Sequence, residues 1–356
     1  DLEDTFVQVY QNNLNLSNDQ KILRGQRIII STIGNRILDA SVAINNDGSR
    51  VIVGNIQENI ITGGKTSAVD IYEYTYFTTH SEWVAICSHT NATDSFFAYS
   101  VAMSLSGDEY MMGGTFMDAS GNTSQGEVYE ITTDASGAYV CIRLGDIINE
   151  GDDAGDFFTG YSVAMAELGG EQTVAIASPL LSGVLETGQV QVYTLGLGAL
   201  WGRDGNPIAG STTGVDASGN LFSSYSIDMG GTIAHDAHLI IAEMCATDSL
   251  VNLYHLDASL VWVPHLLTSS VVPVKHYGVT MNQDGTLFAV ADGTNVQGYI
   301  EDLSTKVVNA YGAAIPSGVG DSVSMDSTGN TLSIGVDVGT ISLPSIGENS
   351  SSVTEY

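Results

Sequence analysis

Positive charge is what this chain of 356 residues has least of. Ten Lys and Arg stand against 41 Asp and Glu, for a net charge of -31. Phosphate backbones are held by clustered Lys and Arg, so nucleic acid is excluded as a partner. Anionic membrane surfaces are disfavoured for the same reason. Such a surface draws cations, basic partners or a mineral face, and its plainest use is solubility in a salty medium. No stretch approaches the about 18 uninterrupted apolar residues that span a bilayer, so no membrane insertion is expected. The chain starts at Asp1 with no signal-like apolar run, as a mature protein does after signal removal, or a fragment. Proline is scarce, at 6 residues. The three cysteines, Cys87, Cys141 and Cys245, are an odd count without metal-ligand spacing. Cys87 and Cys141 hold similar places in successive units and are the pair to test for a bridge. The simpler expectation is three small buried thiols.

What is abundant is glycine, at 40 residues, with Ser, Thr, Asn and Asp around a 43% hydrophobic content. That composition reads as an all-β chain of many strands and many turns. One phrase organises it. Phe96-Phe97-Ala98-Tyr99-Ser100-Val101-Ala102-Met103 returns as Phe158-Thr159-Gly160-Tyr161-Ser162-Val163-Ala164-Met165 and as Phe222-Ser223-Ser224-Tyr225-Ser226-Ile227-Asp228-Met229. Weaker copies are Ala40-Ser41-Val42-Ala43-Ile44, Tyr277-Gly278-Val279-Thr280-Met281 and Asp321-Ser322-Val323-Ser324-Met325. Recurrence at roughly 45 to 65 residues marks a repeat architecture.

Each unit reads as four short strands. The first unit has Ser41–Ile44, a turn at Asn45-Asn46-Asp47-Gly48, then Arg50–Gly54, Ala68–Tyr74 and Trp83–Cys87. The second runs Ser100, Tyr110–Met112, Val128–Ile131 and Tyr139–Ile142; the third Ser162, Thr173–Ala177, Val190–Tyr193 and Trp201. The fourth runs Ser226, Leu239–Ala242, Val251–Tyr254 and Val261–Val263; the fifth Gly278, Leu287–Val290, Val296–Ile300 and Val307–Val308. The sixth runs Ser322, Leu332–Gly335, Thr340–Leu343 and the end at Val353–Tyr356. Four-stranded antiparallel units at this spacing predict the blades of a β-propeller, six by repeat count with seven as the alternative. Phe6–Tyr10 resembles a third strand and Lys21–Arg24 a fourth, with no hairpin before them. A single domain over 1–356 is therefore expected. Residues 1–31 would complete the last blade and close the ring, leaving 337–356 as an extra strand or tail.

The order of Phe-x-x-Tyr-Ser-Val-Ala-Met, a turn such as Asn46-Asp47-Gly48, a buried strand such as Val51-Ile52-Val53-Gly54 and a Gly-led strand ending in Tyr, as in Gly188–Tyr193, resembles FG-GAP-type propeller repeats. The resemblance covers nearly the whole chain. It implies a propeller of the kind found in integrin α-chain heads and in secreted or surface proteins, and it implies no single function. Those repeats often carry a calcium loop, Asp-x-Asp-x-Asp-Gly. Here Asn45–Gly48, Leu105–Asp108 and Asp326–Gly329 lack the alternating carboxylates that calcium needs, so they are read as hairpin turns.

Glu150, Asp152, Asp153 and Asp156 are the densest acidic cluster and the candidate calcium ligands; the competing reading is a solvated loop. His235 and His238 lie three apart near a turn with no third ligand evident. The other histidines, His89 among them, suggest nothing. Asn15, Asn91, Asn122 and Asn349 head glycosylation sequons. Trp83, Trp201 and Trp262 recur on outer strands and are expected to pack between blades. No nucleophile elbow or phosphate-cradling loop is present. The function expected is a non-enzymatic extracellular or cell-surface structural or adhesive module, self-assembling through its terminal strands. Its partners would be itself or another extracellular protein or glycan, and it needs no cofactor save calcium at the acidic loop. The alternatives are a calcium-assisted receptor for glycan or protein, and a propeller hydrolase.

Overall fold

The computed structural model describes residues 6–7, 9–12, 21–29, 35–91, 96–118, 121–148, 161–178, 188–210, 224–232, 237–244, 249–266, 278–291, 295–302, 307–316, 320–325, 327–329, 332–338 and 350–355. They divide into two compact units, Asp1–Leu144 and Gly145–Tyr356. All regular structure among them is β.

The first unit opens with β1 (Phe6–Val7), β2 (Tyr10–Asn12), β3 (Lys21–Leu23) and β4 (Ile28–Ile29). They pair antiparallel, β1 with β4 and β2 with β3. Next come β5 (Asn35–Ile44), β6 (Arg50–Asn59), β7 (Lys65–Tyr76) and β8 (Ser81–Asn91), a four-stranded meander. A second meander follows: β9 (Phe96–Met103), β10 (Glu109–Asp118), β11 (Gly121–Thr133) and β12 (Tyr139–Arg143).

The second unit continues the plan. β13 (Ser162–Leu168), β14 (Glu171–Ser178), β15 (Gln189–Leu195) and β16 (Trp201–Arg203) form one sheet, to which β17 (Ile208–Ala209) adds on β15. β18 (Ser224–Gly230), β19 (His238–Met244), β20 (Ser249–Leu256) and β21 (Trp262–Leu266) form the next. β22 (Gly278–Met281), β23 (Leu287–Ala291), β24 (Asn295–Asp302) and β25 (Val307–Pro316) follow. The last sheet is β26 (Gly320–Met325), β27 (Leu332–Val338) and β28 (Ser350–Glu355).

The expected four-stranded antiparallel sheets are thus present. The neighbour of β27 differs from expectation. Among the described residues it is Ser350–Glu355, not an N-terminal strand. The N-terminal strands take partners within their own segment, where the loop to be closed is short. Thr340–Leu343 lies outside the described residues.

The repeated phrase has a physical meaning in the structure. Alternate side chains of a strand face opposite sides. One side is Val101 and Met103, packed on Ile52, Val69 and Ile71 of the preceding sheet. Ile227 and Met229 pack likewise on Ala175, Ala177, Val190 and Val192, and Val279 and Met281 on Ile240, Ala242, Val251 and Leu253. Each such buried side chain contributes about 1.5–3 kcal/mol. The Ser of the phrase faces the other way and fastens the next sheet. Ser41 Oγ accepts from the Val101 N–H at 3.1 Å, Ser162 from Ile227 at 3.2 Å and Ser226 from Val279 at 3.2 Å. The second strands read as unbroken apolar runs because both their faces are covered. Val51, Ile52 and Val53 are all essentially inaccessible, with Val51 and Val53 facing one cluster and Ile52 another.

The tryptophans fasten the outer strands. Trp83 donates its backbone N–H to Gln26 Oε1 at 2.8 Å, and its indole N–H goes to the Arg24 carbonyl at 2.6 Å. Trp262 repeats this with Asn206 Oδ1 at 2.8 Å and the Asp204 carbonyl at 3.1 Å, and the Trp201 N–H reaches Asp146 Oδ1 at 2.9 Å. Between those partners sit Gly25, Gly145 and Gly205, at φ +78, +81 and +78, where an added Cβ would strike the indole. Three residues after each glycine comes a buried Ile: Ile28, Ile148 and Ile208. Arg24–Ile28 therefore repeats Leu144–Ile148 and Asp204–Ile208 as the end of a sheet's outer strand. In the first unit this outer piece covers only the outer half of the neighbouring sheet, through Val9, Ile28, Val51, Val53 and Trp83. On the inner strand β5, Val42 and Ile44 are 48% and 43% exposed.

Candidate functional site

Register places one polar residue at the same point of the third strand in five sheets. Asp70 pairs with Val53, Glu127 with Met112, Gln191 with Ile176, Asn252 with Ile241 and Gln297 with Val290. Two residues on, the same face carries Tyr72, Tyr129, Tyr193, Tyr254 and Tyr299. A polar side chain and a phenol thus share each third strand. In the second unit the polar partner is a neutral amide. In the first it is a carboxylate, and His89 joins it.

The first-unit cluster is the richest concentration of titratable groups among the described residues. Gln125 Nε2 donates to Glu127 Oε1 at 2.7 Å, and the Tyr129 hydroxyl donates to Glu127 Oε2 at 2.5 Å. Tyr110 and Tyr129 stack at 5.4 Å, and the His89 ring tilts over Tyr129 at 4.4 Å. His89 Nε2 lies 2.5 Å from the Tyr110 hydroxyl. Burial drives the titrations. It pushes Asp70 up, against a hydrogen bond from Ser88, and holds His89 down, against the Glu127 and Asp70 carboxylates. It pushes Tyr72 up to about 12, with Asp70 adding to it, and raises Tyr110 and Tyr129 further. With both phenols protonated and the imidazole neutral, His89 Nε2 and the Tyr110 hydroxyl share one hydrogen bond whose donor is set by the imidazole tautomer. Burial disfavours ionisation of both hydroxyls, so neither is activated as a nucleophile in this arrangement.

Beside it runs a covalent staple. Cys87 on β8 is bonded to Cys141 on β12, with Cα atoms 6.2 Å apart. The expectation of three free thiols is corrected here for these two; Cys245 lies outside the described residues. A second fastening is Arg50. It reaches Glu73 Oε1 at 3.1 Å, Asp108 Oδ1 at 2.7 Å and the Gly107 carbonyl at 3.0 Å. The Tyr139 hydroxyl donates to the same Glu73 carboxylate at 2.8 Å.

In the second unit, Asp228 replaces the Ala of the phrase. Its Oδ2 accepts from the Met281 N–H at 2.8 Å and from the Thr280 hydroxyl at 3.1 Å, so it fastens the next sheet as the serines do. Burial pushes its carboxyl up to about 6, those hydrogen bonds opposing. His238 Nε2 lies 2.9 Å from Glu301 Oε2, both side chains fully buried between adjacent sheets.

The sequence-derived candidates fare unevenly. Glu150, Asp152, Asp153 and Asp156 lie outside the described residues, as do Asn15, Asn349 and His235. Asn91 ends β8 and Asn122 lies in β11, paired with Met117. Among the described residues no group of three or more His, Cys, Asp or Glu is placed to hold a metal. No helix among them is long and apolar enough to cross a membrane. His238 meets the carboxylate of Glu301 from another sheet. Sequence reasoning passed over His89, Asp70, Glu127 and Glu301. Aligning the Tyr-ended third strands would have exposed the polar position two residues before each Tyr.

No protein-family model matches the chain, and no curated protein matches it. Solved structures do. The periplasmic gluconolactonase of Pseudomonas aeruginosa aligns with a TM-score of 0.53 and 11% identity, over 98% of this chain and 94% of that one. A 6-phosphogluconolactonase candidate from Bacteroides fragilis aligns with a TM-score of 0.53 and 10% identity, over 98% and 93%. A protein of unknown function from Desulfotomaculum acetoxidans gives 0.51 and 12%, over 91% and 90%. The fold these share is a β-propeller. At such identity the likeness carries the fold alone, and no FG-GAP family is identified.

Proposed function

We propose that this chain is a non-enzymatic, extracellular structural or adhesive propeller module that assembles with copies of itself through its terminal strands. The observation that carries the reading is the mismatch between the two ends. The N-terminal strands repeat the outer half of a sheet, down to Gly25, Gln26 and Ile28 against Trp83, but no inner strands accompany them among the described residues. The last sheet has its inner strands, yet its third place is taken by Ser350–Glu355. On this reading the N-terminal strands and Ser350–Glu355 are alternative partners for that edge. Closing the ring with the N-terminal strands releases Ser350–Glu355, and a released strand pairs with an exposed edge of a neighbour. The phrase and the Tyr-ended third strands support reading the units as FG-GAP-type repeats. The Cys87–Cys141 staple supports an oxidising compartment.

Sedimentation of the purified full chain over a range of concentrations tests this. Association that disappears when residues 339–356 are removed, with the melting temperature kept, is the expected result. A clean monomer at high concentration overturns the assembly, and turnover of generic glycoside, lactone or ester substrates overturns the non-enzymatic reading.

A further inference from the structure

The inner strand of the first sheet carries an apolar stripe without the cover that its counterparts have. Val101 and Met103, Ile227 and Met229, and Val279 and Met281 are buried under the second and third strands of the preceding sheet. Val42 and Ile44 hold the same places in the phrase, yet they are 48% and 43% exposed. Val42 pairs with Val53 and Ile44 with Val51, so each couple shares one face of the sheet. Val51 and Val53 are buried, in one cluster with Val9 and Ile28 of the N-terminal strands. The cover therefore ends one strand spacing short of β5, about 4.8 Å. The backbone shows the same gap. The N–H groups of Val101, Ile227 and Val279 go to serine hydroxyls of the preceding sheet, but among the described residues no serine reaches Val42.

A strand that filled the gap would find a ladder to join. β1 and β2 pair on one side only, with β4 and β3. Their other edge has no strand among the described residues. A strand added there lies one spacing further in, over Val42 and Ile44. An open edge beside an open apolar face is the arrangement that accepts a strand from another chain.

We propose that this slot, beside β1 and β2 and over Val42 and Ile44, receives Ser350–Glu355 of a second copy. The inference rests on the self-assembly reading above and names the edge that the strand joins. The receiving copy keeps its N-terminal strands off β27, as they stand here. The segment is already a strand on its own β27, with no fourth strand beside it among the described residues. Its six residues span about 20 Å at about 3.3 Å each, enough to cross the stretch from Ser41 to Ile44. Ser350, Ser351, Ser352 and Val353 are small, as are Ala175 and Ala177, which cover Ile227 and Met229. The three serines also carry hydroxyls of the kind that the Val42 N–H lacks.

Amide hydrogen exchange and sedimentation of the full chain test this together. As concentration rises and copies associate, exchange over residues 6–12 should slow at least about tenfold, because the open edge gains a ladder. That added protection should vanish when residues 339–356 are removed. Val42→Asp and Ile44→Asp, both at exposed positions, should weaken association at least about tenfold with the melting temperature kept, as expected for one buried aliphatic side chain. The exchange measurement needs neither variant. A wild type that stays monomeric overturns both this proposal and the self-assembly reading. Association that is lost on removing 339–356 but kept in both Asp variants, or that leaves exchange over 6–12 unchanged, overturns this acceptor alone and leaves self-assembly to another edge. Protection that does not depend on concentration means that the chain's own β27 holds the edge. Protection that still rises with concentration in the shortened chain means that another segment fills the slot. Either result overturns the proposal.

Discussion

Gly205 and Gly170 make a matched pair for testing whether the tryptophan contacts hold the second unit together. Both have left-handed backbone, at φ +78 and +84. Gly170 has nothing within 4 Å of an added Cβ. Gly170→Ala therefore costs only the backbone strain, about 1 kcal/mol. At Gly205 the new methyl would lie 2.7 Å from Trp262 Cδ1, 2.8 Å from Nε1 and 3.2 Å from Leu256 Cδ1. The indole cannot yield, because its N–H and backbone are bonded to the same loop. Overpacking adds about 1–3 kcal/mol, so Gly205→Ala should cost about 2–4 kcal/mol in all. For a unit of this size that lowers the melting temperature by about 6–12 °C, against about 3 °C for Gly170→Ala. Thermal and urea unfolding of both variants measures the difference. A double-variant comparison identifies the cause: with Trp262→Leu in the background, Gly205→Ala should cost no more than Gly170→Ala. Equal losses in the two single variants, or an excess that survives Trp262→Leu, would refute the reasoning.

Three further outcomes are expected. The Asp228 carboxyl titrates near 6 when folded against 3.8 as its ordinary value, so its contribution is full below about pH 4 and fades as pH rises through 6. The loss reaches at most about 3 kcal/mol at about 1.36 kcal/mol per unit. Urea unfolding from pH 3.5 to 7.5 should show that slope in the wild type and a flatter one in Asp228→Asn, and identical slopes would discount the residue. Cys87→Ser opens a loop with ends 54 residues apart and should cost about 4 kcal/mol by chain entropy. Adding a thiol reductant to the wild type should shift the urea midpoint equally, and an unmoved midpoint in both would argue against the staple. Arg50→Gln leaves Glu73 and Asp108 without their cation and should cost about 2–3 kcal/mol. Arg50→Lys should rescue little of it, since a single ammonium nitrogen cannot spread its donors as the planar guanidinium does over Glu73, Asp108 and the Gly107 carbonyl.

The elements were legible because they follow from local rules. Period-two alternation, unbroken apolar runs and turns such as Asn45–Gly48 place strands and hairpins without reference to any distant residue. The tryptophans were legible as packing for the same reason that the phrase was: a repeated position has a repeated neighbour. Pairings between sheets were not. Asp228 meets Met281 and His238 meets Glu301 across more than fifty residues, and no periodicity within a strand says which side chain of the next sheet it will face. The partner of β27 was not legible because two segments have the same strand-like pattern. Pattern fixes whether a segment can be a strand, whereas the choice between partners rests on loop entropy and packing.

The third-strand layer shows how a repeat separates scaffold from speciality. A polar residue two positions before a Tyr recurs in five sheets, buried at Glu127 and Gln191 and half-buried at Asp70, Asn252 and Gln297, so its common duty is structural. Gln191, Asn252 and Gln297 discharge it with no charge to desolvate, which is the less costly solution. Asp70 and Glu127 instead bring carboxylates, and His89 stands between them. Burial moves Asp70 up and His89 down, so each is driven towards its neutral form. Like the amides of the second unit, Glu127 is hydrogen-bonded beside a tyrosine of its own strand. Tyr110 and Tyr129 shield it on one side and the Cys87–Cys141 staple lies alongside. A site for acid–base turnover needs a group free to change protonation against a substrate. Here the Glu127 carboxylate is taken up by Gln125 and Tyr129, and His89 by Tyr110, which is the arrangement of a fastening.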